Sequence, residues 1–320
     1  MTIDPQAQTI LDAMAQAEAE GRPKFETMSP DEARRQFRET RPGVTPDAPD
    51  VAHVEDLTVD GPGGPIPVRA YRPAGSDADN ALPVLVYFHG GGWVFGDIDT
   101  FDVLCRQVAN AGGAALFSVD YRMGPEDKFP AAVEDAYAVT RWVGDGAGGR
   151  AIDTTKIGVI GDSAGGNLAA VVALMARDGG PKLVFQSLLY GVTDLRWGRP
   201  SHESFAEGYL LSMPLLDWFL GHYLNSPDDV HDWRASPLLA DDHSGLPPAL
   251  IITAGYDPLR DEAKAYADRL AEAGVAVEYR CFDGQIHGFM SMGRIIDDAA
   301  VAIGEVGASL RRALADAAED

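Results

Sequence analysis

Ser163 lies in Gly161-Asp162-Ser163-Ala164-Gly165, a G-x-S-x-G pattern. An apolar run at 157–160 precedes it, and an apolar run of helical period, 164–177, follows. A sharp strand-to-helix turn of this kind holds a serine hydroxyl clear of the sheet on a strained backbone. Glycines at 161 and 165 leave room where the backbones cross. The N-terminus of the following helix favours developing negative charge. Such a serine can attack an electrophilic carbon if a base takes its proton and an acid orients that base. The rival reading is a glycine-rich turn whose serine only caps a helix. The strand–turn–helix context favours the nucleophile.

A second glycine cluster, His89-Gly90-Gly91-Gly92-Trp93, directly follows the apolar run VLVYF. Motifs of this type supply oxyanion-hole donors in lipases and esterases. Consecutive glycines let amide N–H groups turn inward with no side chain in the way, and such donors stabilise a tetrahedral oxyanion. The expected donors are the amides of Gly91, Gly92 and Ala164. His89 is expected to brace the loop and not to act as base.

In α/β-hydrolases the partners of an elbow serine follow in the order Ser, Asp/Glu, His. Of the histidines at 53, 89, 202, 222, 231, 243 and 287, His287 comes after the last apolar strand run and fits that order. His243 precedes the run ALIITAG and fails it. Asp257 ends ALIITAGYD, just past a strand's C-terminal end, where crevices form in such sheets. Pro258 is expected to open a helix, which makes the helix N-cap the rival role for Asp257. Asp261 and Asp283 are weaker candidates for the acid.

These residues need a frame. Runs at 54–59 and 66–71 flank GPGG and predict a β-hairpin. Further strand runs fall at 83–88, 114–120, 157–160, 183–189, 249–253 and 275–282. Helical patterns at 101–111, 131–143, 164–177, 259–273 and 297–316 lie between or after them. Alternation of this kind predicts a mostly parallel eight-stranded sheet with helices on both faces. The first 45 residues read as polar, acidic helices with a narrow apolar stripe at Ile10, Leu11, Met14 and Ala17. Residues 41–50 read as a proline-rich linker. Residues 194–235 break the alternation with an aromatic-rich insertion that holds a helical pattern at 213–224.

The 320 residues carry a formal charge of −23. That charge argues against nucleic acid or anionic lipid as partners. No stretch is long and apolar enough to insert in a membrane. The acidic start lacks the basic region of a secretory signal, so a cytoplasmic protein is expected. Cys105 and Cys281 suggest buried, reduced thiols. No metal-ligand spacing, dinucleotide fingerprint or P-loop lysine occurs, so neither metal nor cofactor is expected.

Taken in order, HGGGW (89–93), DYRMGPE (120–126), FPAAVEDA (129–136), GDSAGGN (161–167), DPLRDEA (257–263) and IHGF (286–289) resemble the bacterial hormone-sensitive-lipase-like carboxylesterases of the α/β-hydrolase fold. The chain departs from the family's usual YRLAPE at Met123 and Gly124, outside the catalytic groups. The resemblance covers residues 54–316. It implies hydrolysis of short- to medium-chain esters without a cofactor, and frequent dimers through the last strand and its neighbouring helix. It also implies a helical cap built from 1–45 and 194–235, over a core of 46–193 and 236–320. Trp93, Phe95, Tyr190, Tyr209, Leu210 and Trp218 are the candidate substrate-lining residues, each with ordinary core packing as its rival role. Amide, lactone or carbamate hydrolysis and acyl transfer need the same residues. A non-catalytic binding protein is disfavoured because all three residues of the triad are present.

Overall fold

A computed structural model of the chain describes residues 2–317. All eight expected strands form: β1 His53–Gly61, β2 Gly64–Arg72, β3 Leu82–Phe88, β4 Ala115–Val119, β5 Ile152–Asp162, β6 Leu183–Leu189, β7 Ala249–Tyr256 and β8 Val277–Ile286. The helices are α1 Pro5–Ala19, α2 Pro30–Thr40, α3 Asp102–Gly112, α4 Ala131–Gly144, α5 Ala164–Arg177, α6 Pro200–Ser204, α7 Met213–Tyr223, α8 Arg260–Glu272 and α9 Asp298–Asp316. The strands join one sheet in the order β1-β2-β4-β3-β5-β6-β7-β8. β1 pairs antiparallel with β2, and β2 with β4; β3 to β8 run parallel.

Side-chain alternation along β3 divides the core. Val84, Val86 and Phe88 face one layer with α4, α5 and α8. Leu85 and Tyr87 face the other layer with α3, α9 and Ile10 of α1. Central strands β3, β4, β6 and β7 are buried almost throughout, as expected where helices cover both faces of a parallel sheet. Strand order reverses at β3, which has β4 on one side and β5 on the other. The crevice beyond such a switch point is where open α/β sheets bind ligands.

Four details differ from the sequence reading. β8 extends through Ile286, because a register shift between Ala254 and Tyr256 of β7 absorbs the extra residues. His287 is therefore the first residue after the strand. Helix α8 begins at Arg260, beyond Pro258. Residues 41–50 do not form a free linker: they start with a 3-10 turn, Arg41–Gly43, and Arg294 donates to Thr45 O at 2.8 Å. Cys281 is only half-buried, because β8 is an edge strand.

The N-terminal helices and the insertion lie at the end of the sheet where the glycine loop emerges. A capping box between Ser29 and Glu32 starts α2. Arg34 on that helix donates to Val94 O at 2.8 Å and Gly124 O at 2.9 Å, and pairs with Glu126. Leu215, Leu216 and Phe219 of α7 join the same cluster as Trp93, Val94 and Phe95.

Candidate active site

β5 delivers the serine. Ser163 takes φ 55° and ψ −119°, a region that side chains other than hydrogen rarely adopt. The surrounding glycines are dictated by space. A Cβ on Gly161 would collide with Gly165 O, and one on Gly165 with Phe88 O. Gly161 lets α5 cross β5 this closely, and Gly165 lets it approach the end of β3.

β7 and β8 deliver the other two groups. Asp257, fully buried, follows β7 directly. Its Oδ2 lies 2.7 Å from His287 Nδ1, and His287 Nε2 lies 2.9 Å from Ser163 Oγ. Residues separated in sequence by 124 and 30 positions thus form one hydrogen-bonded line. The second carboxylate oxygen of Asp257 accepts from Leu259 N at 2.9 Å, which fixes the carboxylate plane. That bond closes a turn ahead of α8, so Asp257 is not the N-cap of that helix. The rival acids are engaged elsewhere or lack such contacts: Asp261 accepts from Ser201 N and pairs with Arg260, and no side-chain bond joins Asp283 to His287 among the described residues.

β3 delivers the glycine loop. Gly91 and Gly92 have φ 117° and 59°. Among the described residues their amides donate to no protein acceptor, whereas Gly90 N donates to Asp162 and Gly91 O accepts from Val94 N and Phe95 N. Ala164 stands at the first position of α5.

Six expected lining residues fall into two groups. Tyr190 packs edge-on against His287, with ring centroids 5.0 Å apart; Leu210 lies beside Gly288; Tyr209 packs edge-on to Phe205 and tilted against Tyr256. Of these, Tyr190 touches the His287 ring itself. Trp93 stacks on Tyr223 at 4.2 Å, and Phe95 packs against Phe25, Phe37 and Phe219. Trp218 is one step further out, edge-on to Phe219 and His222. Phe219 was not singled out from the sequence. Its ring lies directly over the Cα of Gly92, and its only sequence signal was membership of the 213–224 helical pattern.

Two buried charged groups were also missed. Asp162, next to the serine, accepts from Tyr87 Oη at 2.5 Å and Gly90 N at 2.8 Å, and burial raises its carboxyl above the usual range. Arg41 lies against the Phe37 and Phe101 rings and reaches Ser291 O at 3.3 Å, and burial lowers its guanidinium. Among the described residues no group of three or more His, Cys, Asp or Glu is placed to hold a metal ion.

Comparison with known proteins identifies the family. Residues 85–291 match the family model described as alpha/beta hydrolase fold. The chain belongs to the α/β-hydrolase family. Within it, the carboxylic ester hydrolase LipN of Mycobacterium tuberculosis is 46% identical over 81% of this chain and 70% of its own length. Ethyl acetate hydrolase of Pseudomonas putida is 38% identical over 93% of this chain and 95% of its own. A mutant of an α/β hydrolase enzyme from the metagenome of Lake Arreo, Spain, superposes with a TM-score of 0.93 at 43% identity, covering 97% of this chain and 98% of that one. The resemblance to hormone-sensitive-lipase-like carboxylesterases drawn from the motifs therefore holds over nearly the whole chain.

Proposed function

We propose that this α/β-hydrolase is a carboxylic ester hydrolase in which Ser163 is the nucleophile, His287 the base and Asp257 the orienting acid. The observation that carries the reading is the line from Ser163 Oγ through His287 to Asp257. Support comes from relatives named carboxylic ester hydrolase and ethyl acetate hydrolase.

His287 Nε2 takes the hydroxyl proton as Ser163 Oγ attacks the acyl carbon. Asp257 holds the tautomer with hydrogen on Nδ1 and stabilises the imidazolium. The amides of Gly91, Gly92 and Ala164 receive the oxyanion. His287 then gives its proton to the leaving alkoxide, and water releases the acyl group by the same steps in reverse. Segments 1–45 and 194–235 act as a cap over this centre, and aromatic walls of the kind around Tyr190, Tyr209 and Trp93 suit short to medium acyl chains. Trp93, Phe95, Tyr190, Tyr209, Leu210 and Trp218 are proposed to shape the acyl and alcohol pockets. No helix among the described residues is long and apolar enough to cross a membrane. A cytoplasmic location, and a homodimer through the edge strand β8, belong to the same proposal.

The test is release of nitrophenol from acetyl, butyryl, octanoyl and palmitoyl esters by the wild type and Ser163→Ala. Activity that peaks at short or medium chains and vanishes in the mutant is expected. Undiminished activity in the mutant would assign the nucleophile elsewhere.

A further inference from the structure

The glycine loop is pinned by hydrogen bonds on both sides of the Gly91 and Gly92 amides. Consecutive groups must be read as peptide planes, since the carbonyl of one residue and the amide of the next share one rigid unit. In the plane between residues 89 and 90, Tyr121 Oη donates to His89 O at 2.7 Å, and Gly90 N donates to Asp162 Oδ1 at 2.8 Å. In the next plane, His89 Nδ1 lies 2.8 Å from Gly90 O, which sets the direction of Gly91 N–H. Further on, Gly124 N donates to Trp93 O at 2.9 Å and Arg34 to Val94 O at 2.8 Å. The N–H groups of Gly91 and Gly92 are left without a protein acceptor among the described residues, as is that of Trp93.

We propose that Asp162 is a positioning residue whose carboxylate fixes the first peptide plane of the oxyanion loop to the nucleophile elbow. The inference rests on the esterase reading above. Asp162 is buried, and a carboxylate in such a place is costly unless donors satisfy it. It also lies next to Ser163, where a negative charge opposes the oxyanion that must form. A side chain so unfavourable by itself has a use if it ties two things together, and its two donors come from different elements. Tyr87 lies at the end of β3, and Gly90 lies in the loop itself. Contact is close on the other oxygen too: a Cβ on Gly90 would run into Asp162 Oδ2. The first glycine of the triplet is thus required by the carboxylate, and the next two by their positive φ and by the closeness of Phe95 O and the Phe219 ring. Because Asp162 and Ser163 are consecutive, the strand end that aims the nucleophile also aims the loop. Arg41 supplies a buried positive charge within electrostatic range of this carboxylate.

Two measurements test this on Asp162→Ala and Asp162→Asn. The asparagine keeps an oxygen that can accept both hydrogen bonds. Turnover of nitrophenyl butyrate is expected to lose about 100-fold in kcat in the alanine variant, the scale of a lost oxyanion donor, with KM within about threefold. The asparagine variant is expected to recover most of that loss. Hydrogen exchange, which needs no activity, is expected to speed up in the peptide covering 89–95 of the alanine variant and to stay unchanged in β7. Wild-type kcat together with an unchanged 89–95 peptide in the alanine variant would overturn the proposal. So would equal losses in both variants with faster exchange throughout the sheet, which would mark Asp162 as a residue of the fold alone. If the alanine variant does not fold, Asp162→Ser, too short to reach Gly90 N, takes its place under the same criteria. A wild type inactive on every ester, with the 89–95 peptide still loosened by the mutation, would defeat the esterase reading and leave the tether standing.

Discussion

Ser163 shows how little freedom single residues have here. Its φ of 55° and ψ of −119° belong to conformations that cost ~1–3 kcal/mol for a residue with a Cβ. Glycine escapes that cost, less ~0.5–1 kcal/mol for its larger loss of entropy on folding. Ser163→Gly is therefore expected to be more stable than Ser163→Ala by about 1 kcal/mol, read from paired urea transitions of two variants that both lack the hydroxyl. Equal midpoints would mean that the elbow stores no strain. At this scale the sequence was highly legible. The motifs around Ser163 and His89 each bundle a turn, its glycines and its reactive group into a few consecutive letters. Asp257 and His287 were found by order along the chain, and Asp162 was passed over. Its letter fills the variable position of the motif, and the meaning of that letter lies in Gly90, 72 residues away.

Between elements, the insertion is welded to the helix that follows Asp257. Glu262 on α8 accepts from Thr193 N at 2.7 Å and faces His202 Nε2 at 3.0 Å, both groups being buried. Ser201 Oγ donates to Pro258 O at 2.6 Å in the same seam. Removing one partner of a buried pair leaves a charge uncompensated, at ~3–5 kcal/mol. His202→Ala is expected to destabilise by about 3 kcal/mol at pH 7. Burial raises the Glu262 carboxyl, against the opposing pull of His202 and the Thr193 amide. A raised carboxyl binds its proton more readily in the folded state, so ionisation penalises the fold as pH rises. The cost of His202→Ala should therefore shrink as pH falls toward the carboxylate range, a trend that denaturation at pH 7 and pH 5 would resolve. A constant difference would show that Glu262 is not the group left exposed to the penalty. None of this seam could be read from the letters. Glu262 belongs to a helical run of ordinary acidic character, and His202 is one of seven histidines. Their pairing depends on how a long insertion folds back, which periodicity does not encode.

For the whole molecule, the sheet was the easy part and its edges were not. Apolar strands alternating with helices leave few arrangements open, because crossovers between parallel strands share one hand. β8 overran its expected end because DGQI has no apolar pattern, and its backbone is carried by pairing with β7 through a register shift. The overall charge of −23 has a functional side under the esterase reading. Neutral esters feel little of that field, whereas the carboxylate product is repelled by it. The Debye length shortens from about 30 Å at 0.01 M salt to about 10 Å at 0.1 M. Inhibition by acetate or butyrate should therefore strengthen severalfold over that range while KM for a neutral ester stays within twofold. Salt-independent inhibition would mean that the field does not reach the site.

The way the N-terminal segment is tied down has a consequence for the order of manufacture. Asp4 N donates to Gly284 O, Gln6 exchanges hydrogen bonds with Asp297, Arg41 reaches Ser291 O, and Thr45 O accepts from Arg294. The partners of Asp4, Gln6, Arg41 and Thr45 thus fall in the stretch from 284 to 297, whereas α2 docks on an earlier part of the chain, through Arg34 on Val94, Gly124 and Glu126. On a ribosome the chain emerges from its N-terminus, and domains form as their parts become available. α1 and the turn at 41–45 must wait, without these contacts, until almost the entire sheet has been made. The same late stretch carries His287. The histidine and the anchors of α1 and of residues 41–45 therefore arrive together.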